Sequence, residues 1–301
     1  MAVRTGRGGG QSPLELVSGG KAAPEAVVRR GMVDLQQRLA AEFRTARTAQ
    51  VEHARRMAAI NAPLVEVISK EARVRAAVQA LRQLDRRLGV RKLAAPRLVR
   101  EEERVSLGSI SATRTPPYDY PWTWSAGSGA PAISVAANRN TGQMSFSIWN
   151  ASKDASGSAA AALGIYFRPV VTNGILRLSS SPAFNYSWWT YCVFASAHSD
   201  GFIGLYVGRY TLAGGFDGAP VDQRISLWSD DSWWSGAGSH SGSSSGYPLF
   251  AQLNVDSSHW YALWVWCGGR ASGAGWGGLF SGSGAGSNLS VTVPSIFWEL
   301  F

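Results

Sequence analysis

Ten consecutive residues constrain this chain more than any others. His259 to Gly268 reads His-Trp-Tyr-Ala-Leu-Trp-Val-Trp-Cys-Gly, with no formally charged residue, no proline and no glycine before its end. At period two, Trp260, Ala262, Trp264 and Trp266 fall on one side, and Tyr261, Leu263, Val265 and Cys267 on the other. A strand with two apolar faces has to be covered on both. A helix of these letters would carry aromatics all round and run into Gly268-Gly269, which disfavours it. The stretch is therefore expected to be the central strand of an all-β core. Trp264 and Trp266 should fill that core, with Trp260 at its polar entry.

The rest of the chain divides around this expectation. All 13 tryptophans and both cysteines stand at or after Trp122. Residues 1–110 carry 21 Lys/Arg against 11 Asp/Glu, net +10, whereas 111–301 carry 8 against 9, net −1, which together give the formal +9. The basic character belongs to the N-terminal third alone. The fold class read from this is α+β in separate regions: long N-terminal helices, as a coiled coil or helical hairpin, then an antiparallel all-β sandwich of jelly-roll type.

Residues 1–30, with Gly8-Gly9-Gly10 and Gly19-Gly20, read as a flexible tail. Over 31–89 a narrow apolar stripe runs at helical spacing: Met32, Leu35, Leu39, Phe43, Met57 and Ile60, then Val74, Val78, Leu81 and Leu88. Asn61-Ala-Pro63 is expected to break it into two helices of about 45 Å and 40 Å, forming a rod or a hairpin. Such a stripe needs a partner: the other helix, copies of itself or the β region. It is read as an oligomer seam, with a trimer as first guess. The arginines around it alternate with Glu42, Glu52, Glu66, Glu71 and Asp85. A solvated, salt-bridged face therefore outweighs nucleic-acid binding.

Residues 90–121 are a charged and proline-rich joint, and 122–301 a tryptophan-rich head. Alternation marks strands at 133–137, 143–150, 162–171, 175–179, 190–198, 202–212, 221–228, 248–255, 260–267 and 289–301. Asn140-Thr-Gly142 and Asn173-Gly174 read as hairpin turns. The Gly/Ser-rich stretches Ser229–Tyr247 and Gly268–Asn288 read as long loops, unusual in carrying Trp233, Trp234 and Trp276.

Chemistry-bearing groups are sparse in the head, which has three histidines, one glutamate and seven aspartates. Asp230 and Asp231 are neighbours on a strand and point opposite ways, which makes them a poor glycosidase pair. Cys192 and His198, on one strand face, would be about 20 Å apart, too far for a thiolate pair. No metal-ligand, phosphate-loop or cofactor motif is present, so the chain is read as a non-enzyme without a cofactor or metal. Cys192 and Cys267 could pair across a sandwich, with two buried thiols as the competing expectation.

The surplus of aromatics is the more specific signal. Tyr186, Trp188 and Trp189, Asp230 and Asp231, Trp233 and Trp234, and Trp276 are the candidates for contact with a glycan, a protein surface or a membrane headgroup layer. Pro117-Tyr118-Asp119-Tyr120 with Trp122 and Trp124, and the Tyr186-Ser-Trp-Trp run, resemble the aromatic choline-headgroup loop of actinoporin-type pore formers. The resemblance spans a handful of residues, at a different place along the chain. The long helices and proline-rich joint also depart from the short amphipathic helix of that family. It implies a membrane-active toxin or effector as the alternative to a homo-oligomeric recognition protein. Neither a secretory signal nor a spanning run is visible, which reads as a cytoplasmic protein, or one released by lysis or a dedicated export machine.

Overall fold

The structure, a computed structural model, describes residues 25–85, 110–150, 152, 154–275 and 281–301. Among these residues two helices, α1 (Glu25–Ser69) and α2 (Ala72–Asp85), precede twelve strands, all paired antiparallel. These are β1 (Ile110–Arg114), β2 (Tyr120–Ser128), β3 (Ala132–Asn138), β4 (Gln143–Asn150), β5 (Ser156–Phe167), β6 (Gly174–Ser180), β7 (Ala183–Thr211), β8 (Val221–Ser244), β9 (Leu249–Val255), β10 (His259–Gly275), β11 (Gly282–Thr292) and β12 (Ile296–Leu300). Seven strands in the order β2-β5-β10-β7-β11-β4-β3 curl into a nearly closed barrel, with β8 added along β7. A small sheet, β1-β12-β6-β9, stands beside them.

The registers show how this sheet is built. One edge of the 29-residue β7 is paired with β8. Along its other edge β10 and then β11 run end to end, Gly275 opposite Ala195 and Gly282 opposite Val193. The next layer repeats the arrangement, with β5 beside β10 and β4 beside β11, and the outermost layer has β2 beside β5 and β3 beside β4. Every layer is thus interrupted at one transverse level. The non-glycine residues with left-handed backbone lie there: Ala130 (φ 57°), Phe194 (φ 48°) and Trp234 (φ 67°). Phe194 is the extra residue of a bulge in β7, the device by which sheets bend.

The central strand expected from the sequence is present, with both faces covered. Tyr261, Leu263, Val265 and Cys267 join the main core, with Leu163, Ile165, Leu205 and Trp298. Trp260, Trp264 and Trp266 form a second core with Trp122, Trp124, Tyr206, Tyr210 and the helix residues Val27, Leu35 and Leu39. Trp260 is 4% exposed, buried with its neighbours on that face. The helix, not a second sheet, is what covers the tryptophan face.

Several expectations change accordingly. The first half of the apolar stripe (Met32, Leu35, Leu39, Phe43) is taken up by the sheet of its own chain. Further along, Met57 and Val74 pack on Phe194 and Val193, whereas Ile60 is 71% exposed. The side chains of Val78 and Leu81, and Leu88 altogether, lie outside the described residues. The break expected at Asn61-Ala-Pro63 is absent: α1 continues through Pro63 to Ser69, and Asn61 Nδ2 donates to the Met57 carbonyl at 2.8 Å.

The Gly/Ser-rich stretches are strand. Ser229–Ser244 continues β8, and Gly268–Gly275 with Gly282–Asn288 continues β10 and β11. Asn173-Gly174 is no hairpin, since β5 and β6 belong to different sheets, whereas Asn140-Thr-Gly142 does join β3 to β4, with Gly142 at φ 71°. The cysteines are both free and buried, Cys192 on β7 and Cys267 on β10.

Candidate functional site

Where α1 crosses the break level, a cleft of about 420 Å³ lies between it and the sheet. One wall is helical, from Phe43 through Arg47 and Gln50 to His53. The other consists of residues of β5, β7, β8 and β10 that alternate onto the helix side: Ser156, Ser196, His198, Asp231, Trp233, Arg270 and Ser272.

Two clamps hold the helix over the sheet. The first joins Arg38 to Asp222 at 2.6 Å and Glu42 to Arg224 through two 2.8 Å bonds, with both guanidinium groups over aromatic rings of the second core. The second is Arg47, which donates to the carbonyls of Gly273 at 3.0 Å and Asp154 at 2.7 Å, where β10 and β5 approach their interruptions. Burial lowers the pKa of Arg47 from its ordinary value, and the carbonyls receive the N–H groups that water no longer can.

The floor is a cluster of charges. His198 stands opposite Asp231 in the β7–β8 pairing, Nδ1 2.8 Å from its Oδ1. The other ring nitrogen is 3.1 Å from Asp200 Oδ2, two residues along the same strand face. Arg270, opposite Asp200 on β10, bonds the same carboxylate through Nε at 2.8 Å and through Nη2. Burial alone would lower the imidazole pKa, but the bonds to Asp200 and Asp231 outweigh it and push it up to about 9. The carboxylate of Asp200 would be raised by burial, yet His198 and Arg270 hold it below its ordinary value. With a carboxylate on each nitrogen the ring is a fixed cation that donates twice.

The cleft also has neutral polar groups and an aromatic wall. The hydroxyls of Ser156 and Ser196, at 1% and 2% exposure, find no hydrogen-bond partner among the described residues. Trp233 is 44% exposed and meets the His53 ring edge-on, with centroids 4.5 Å apart.

Of the residues singled out from the sequence, Asp231 and Trp233 come together here. Asp230 faces the other side of the sheet, as alternation requires, and accepts from Thr190. Trp234 is turned onto Phe194, 5.5 Å between ring centroids. Tyr186 stacks on Trp228 at 5.1 Å, and Trp188 packs against the main core. Trp189 lies over Gly284 and Gly286, where a Cβ would meet its ring. Trp276 lies outside the described residues. Tyr118, Trp122 and Trp124, in the segment likened to a headgroup loop, are buried. Cys192 packs with Ala195 and Ala197, away from the cleft that His198 lines, since the Phe194 bulge reverses the alternation between them.

The sequence reading missed His198, Asp200 and Arg270 as a group, and Gln50, Ser156 and Ser196 as lining. A signal for part of it was present: Ser196, His198 and Asp200 alternate onto one face of a continuous strand. Splitting that strand at Ser199–Gly201 concealed it.

No family model matches the sequence, and no curated protein matches it. Among solved structures, 60% of this chain aligns with 19% of the enzymatically active domain of tailspike protein 4 of bacteriophage CBA120, at 10% identity and a TM-score of 0.20. A carbohydrate-binding module, TmCBM61 in complex with β-1,4-galactotriose, aligns over 60% of this chain and 87% of its own at 10% identity and a TM-score of 0.16. The structure of infectious bursal disease virus, Gx strain, aligns over 61% of this chain and 36% of that one, at 8% identity and a TM-score of 0.14. Overlaps this low establish no shared fold. Among the described residues, no helix is long and apolar enough to cross a membrane and no group of acidic, histidine or cysteine side chains could hold a metal ion.

Proposed function

We propose that this chain is a non-enzymatic recognition protein whose cleft between α1 and the sheet binds a saccharide. The observation that carries this reading is the pairing of a half-exposed tryptophan face, Trp233, with deep unpartnered hydroxyls, Ser156 and Ser196, in one cleft. A sugar ring presents an apolar face to an aromatic and hydroxyls to polar groups, and ligand clefts are mostly apolar with a few well-placed polar atoms.

The charged floor supports binding over catalysis. A serine nucleophile needs an imidazole nitrogen free to take its proton, and both nitrogens of His198 are held by carboxylates. A glycosidase needs two carboxyls with the scissile bond between them, and the His198 ring fills the space between Asp200 and Asp231.

Self-association remains part of the reading. Ile60, Leu64 and Val67, spaced four and three residues apart on α1, are exposed apolar side chains suited to a second copy of the chain,. Titration of the full chain with a panel of oligosaccharides, read by tryptophan fluorescence and calorimetry, tests the binding. Saturable quenching that Trp233→Ala weakens about tenfold or more, about 1.4 kcal/mol, is expected. No heat and no quenching with any saccharide would overturn the proposal.

A further inference from the structure

The main sheet ends in an open edge. β7 pairs with β10 and β11 on one side and with β8 on the other, and among the described residues no strand pairs with the outer edge of β8. The irregularities of the β7–β8 pairing lie before Ser235, the last at Trp234 with its φ of 67°, and the register over 235–244 is unbroken. A strand turns its backbone groups to its two edges by turns, so about ten N–H and C=O groups of this segment point outward. Such edges are usually blunted by proline, lysine, an inward-pointing charge or a bulge. Residues 235–244 include no proline and no Lys, Arg, Asp or Glu. The opposite edge of the sheet is blunted, being divided between β2 and β3 and carrying Pro121 within β2,. The glycines of the segment answer to β7 and not to a partner: a Cβ at Gly242 would come 2.6 Å from the Tyr186 ring, and one at Gly238 would come 3.2 Å from that of Trp188.

We infer that this edge is an interface for a second copy of the chain, whose own 235–244 segment pairs with it antiparallel about a two-fold axis. Donors and acceptors alternate along a strand edge, so the edge is complementary to itself when reversed. The backbone bonds of such a pairing, about ten, match the number in a typical stable interface. No charge meets a like charge across the axis, because the segment carries none. Strand addition takes its specificity from side-chain pockets, and this edge of small side chains offers a foreign peptide little beyond backbone. A second copy brings the same edge in the same shape. The contact is isologous and closes at two copies, whereas β8 against the β2–β3 edge of a copy would run on as a ring or filament. It uses neither the residues of the cleft nor Ile60, Leu64 and Val67 of α1, and it stands apart from the saccharide reading.

The test is sedimentation velocity of the full chain across the micromolar range, together with hydrogen exchange read by mass spectrometry. The chain should form dimers, and exchange over 235–244 should slow as concentration rises while that of β10 stays constant. Ser239→Lys combined with Ser241→Lys, at two exposed positions, should weaken the dimer about tenfold or more. The two-fold sets position 239 opposite 239 or 241 of the copy, so like charges would meet. Circular dichroism matching the parent shows that the variant folds; should it not fold, the exchange of the parent decides. A monomer throughout the range would overturn the inference, as would exchange over 235–244 that ignores concentration. Trimers or open filaments in place of dimers would overturn it as well. So would a dimer that both lysines leave intact, and its loss in Val67→Ser would place the contact on α1.

Discussion

His198 and Asp231 face each other across the β7–β8 pairing, 2.8 Å from ring nitrogen to carboxylate oxygen, and Asp200 holds the other nitrogen of the same ring. Two strands are thereby joined by a charge, in a part of the sheet where β8 has little apolar packing.

The arrangement makes stability depend on pH in a stated direction. The pKa of His198 is about 9 in the folded chain and near its ordinary value of about 6.5 when unfolded. Its contribution is fully present below about pH 6.5 and is lost as pH rises through about 9. Melting temperature should fall between those limits, and His198→Asn should flatten the slope while costing about 1–3 kcal/mol at pH 6. A variant that keeps the parent's slope would exclude His198 as its source.

Leu35 and Ile60 belong to one apolar stripe in sequence and to two environments in the structure, at 1% and 71% exposure. Leu35→Ala should destabilise the chain by about 2–5 kcal/mol, read by denaturant unfolding. Ile60→Ala should change it by no more than about 0.5 kcal/mol. If Leu35→Ala instead alters assembly at unchanged stability, the helix does not cover the sheet in solution.

At Gly201 an added Cβ would collide with the six-membered ring of Trp228, whose Nε1 donates to Ser199 at 2.9 Å. Gly201→Ala should displace that ring, cost about 1–3 kcal/mol as overpacking does, and shift tryptophan emission to longer wavelength. Unchanged emission and stability would place Trp228 elsewhere.

Both thiols should be silent in the native protein. Burial pushes Cys192 up to about 11 and Cys267 up to about 12, and only the thiolate reacts readily. A thiol reagent at pH 8 should modify neither until denaturant unfolds the chain. A reductant should leave the mass unchanged, whereas a gain of two hydrogens would reveal a disulfide.

The strands that could be read from the sequence are those whose alternation has chemical contrast. Met144, Phe146 and Ile148 against serines fix β4, and Leu249, Ala251, Leu253 and Val255 fix one face of β9. The run Ser235–Ser244 has no such contrast. Its strand geometry comes from backbone bonds to β7, a tertiary effect that overrides weak local propensity. The same limit concealed the site. Trp233 and Asp231 stood out by type, whereas Arg270 and Arg47 reach the cleft only through pairings and packing 37 or more residues away in sequence from them. The stripe on α1 was plain, but amphipathicity states that a face will be covered and not by what.

Because the interruptions of β2/β3, β4/β5 and β10/β11 share one transverse level, chain length there is uncoupled from strand register. A residue inserted within a strand turns every later side chain to the wrong face. One inserted at 129–131 only enlarges the turn between β2 and β3, and the halves on either side keep their partners. That turn is a place where such a protein can change its outline over generations without refolding.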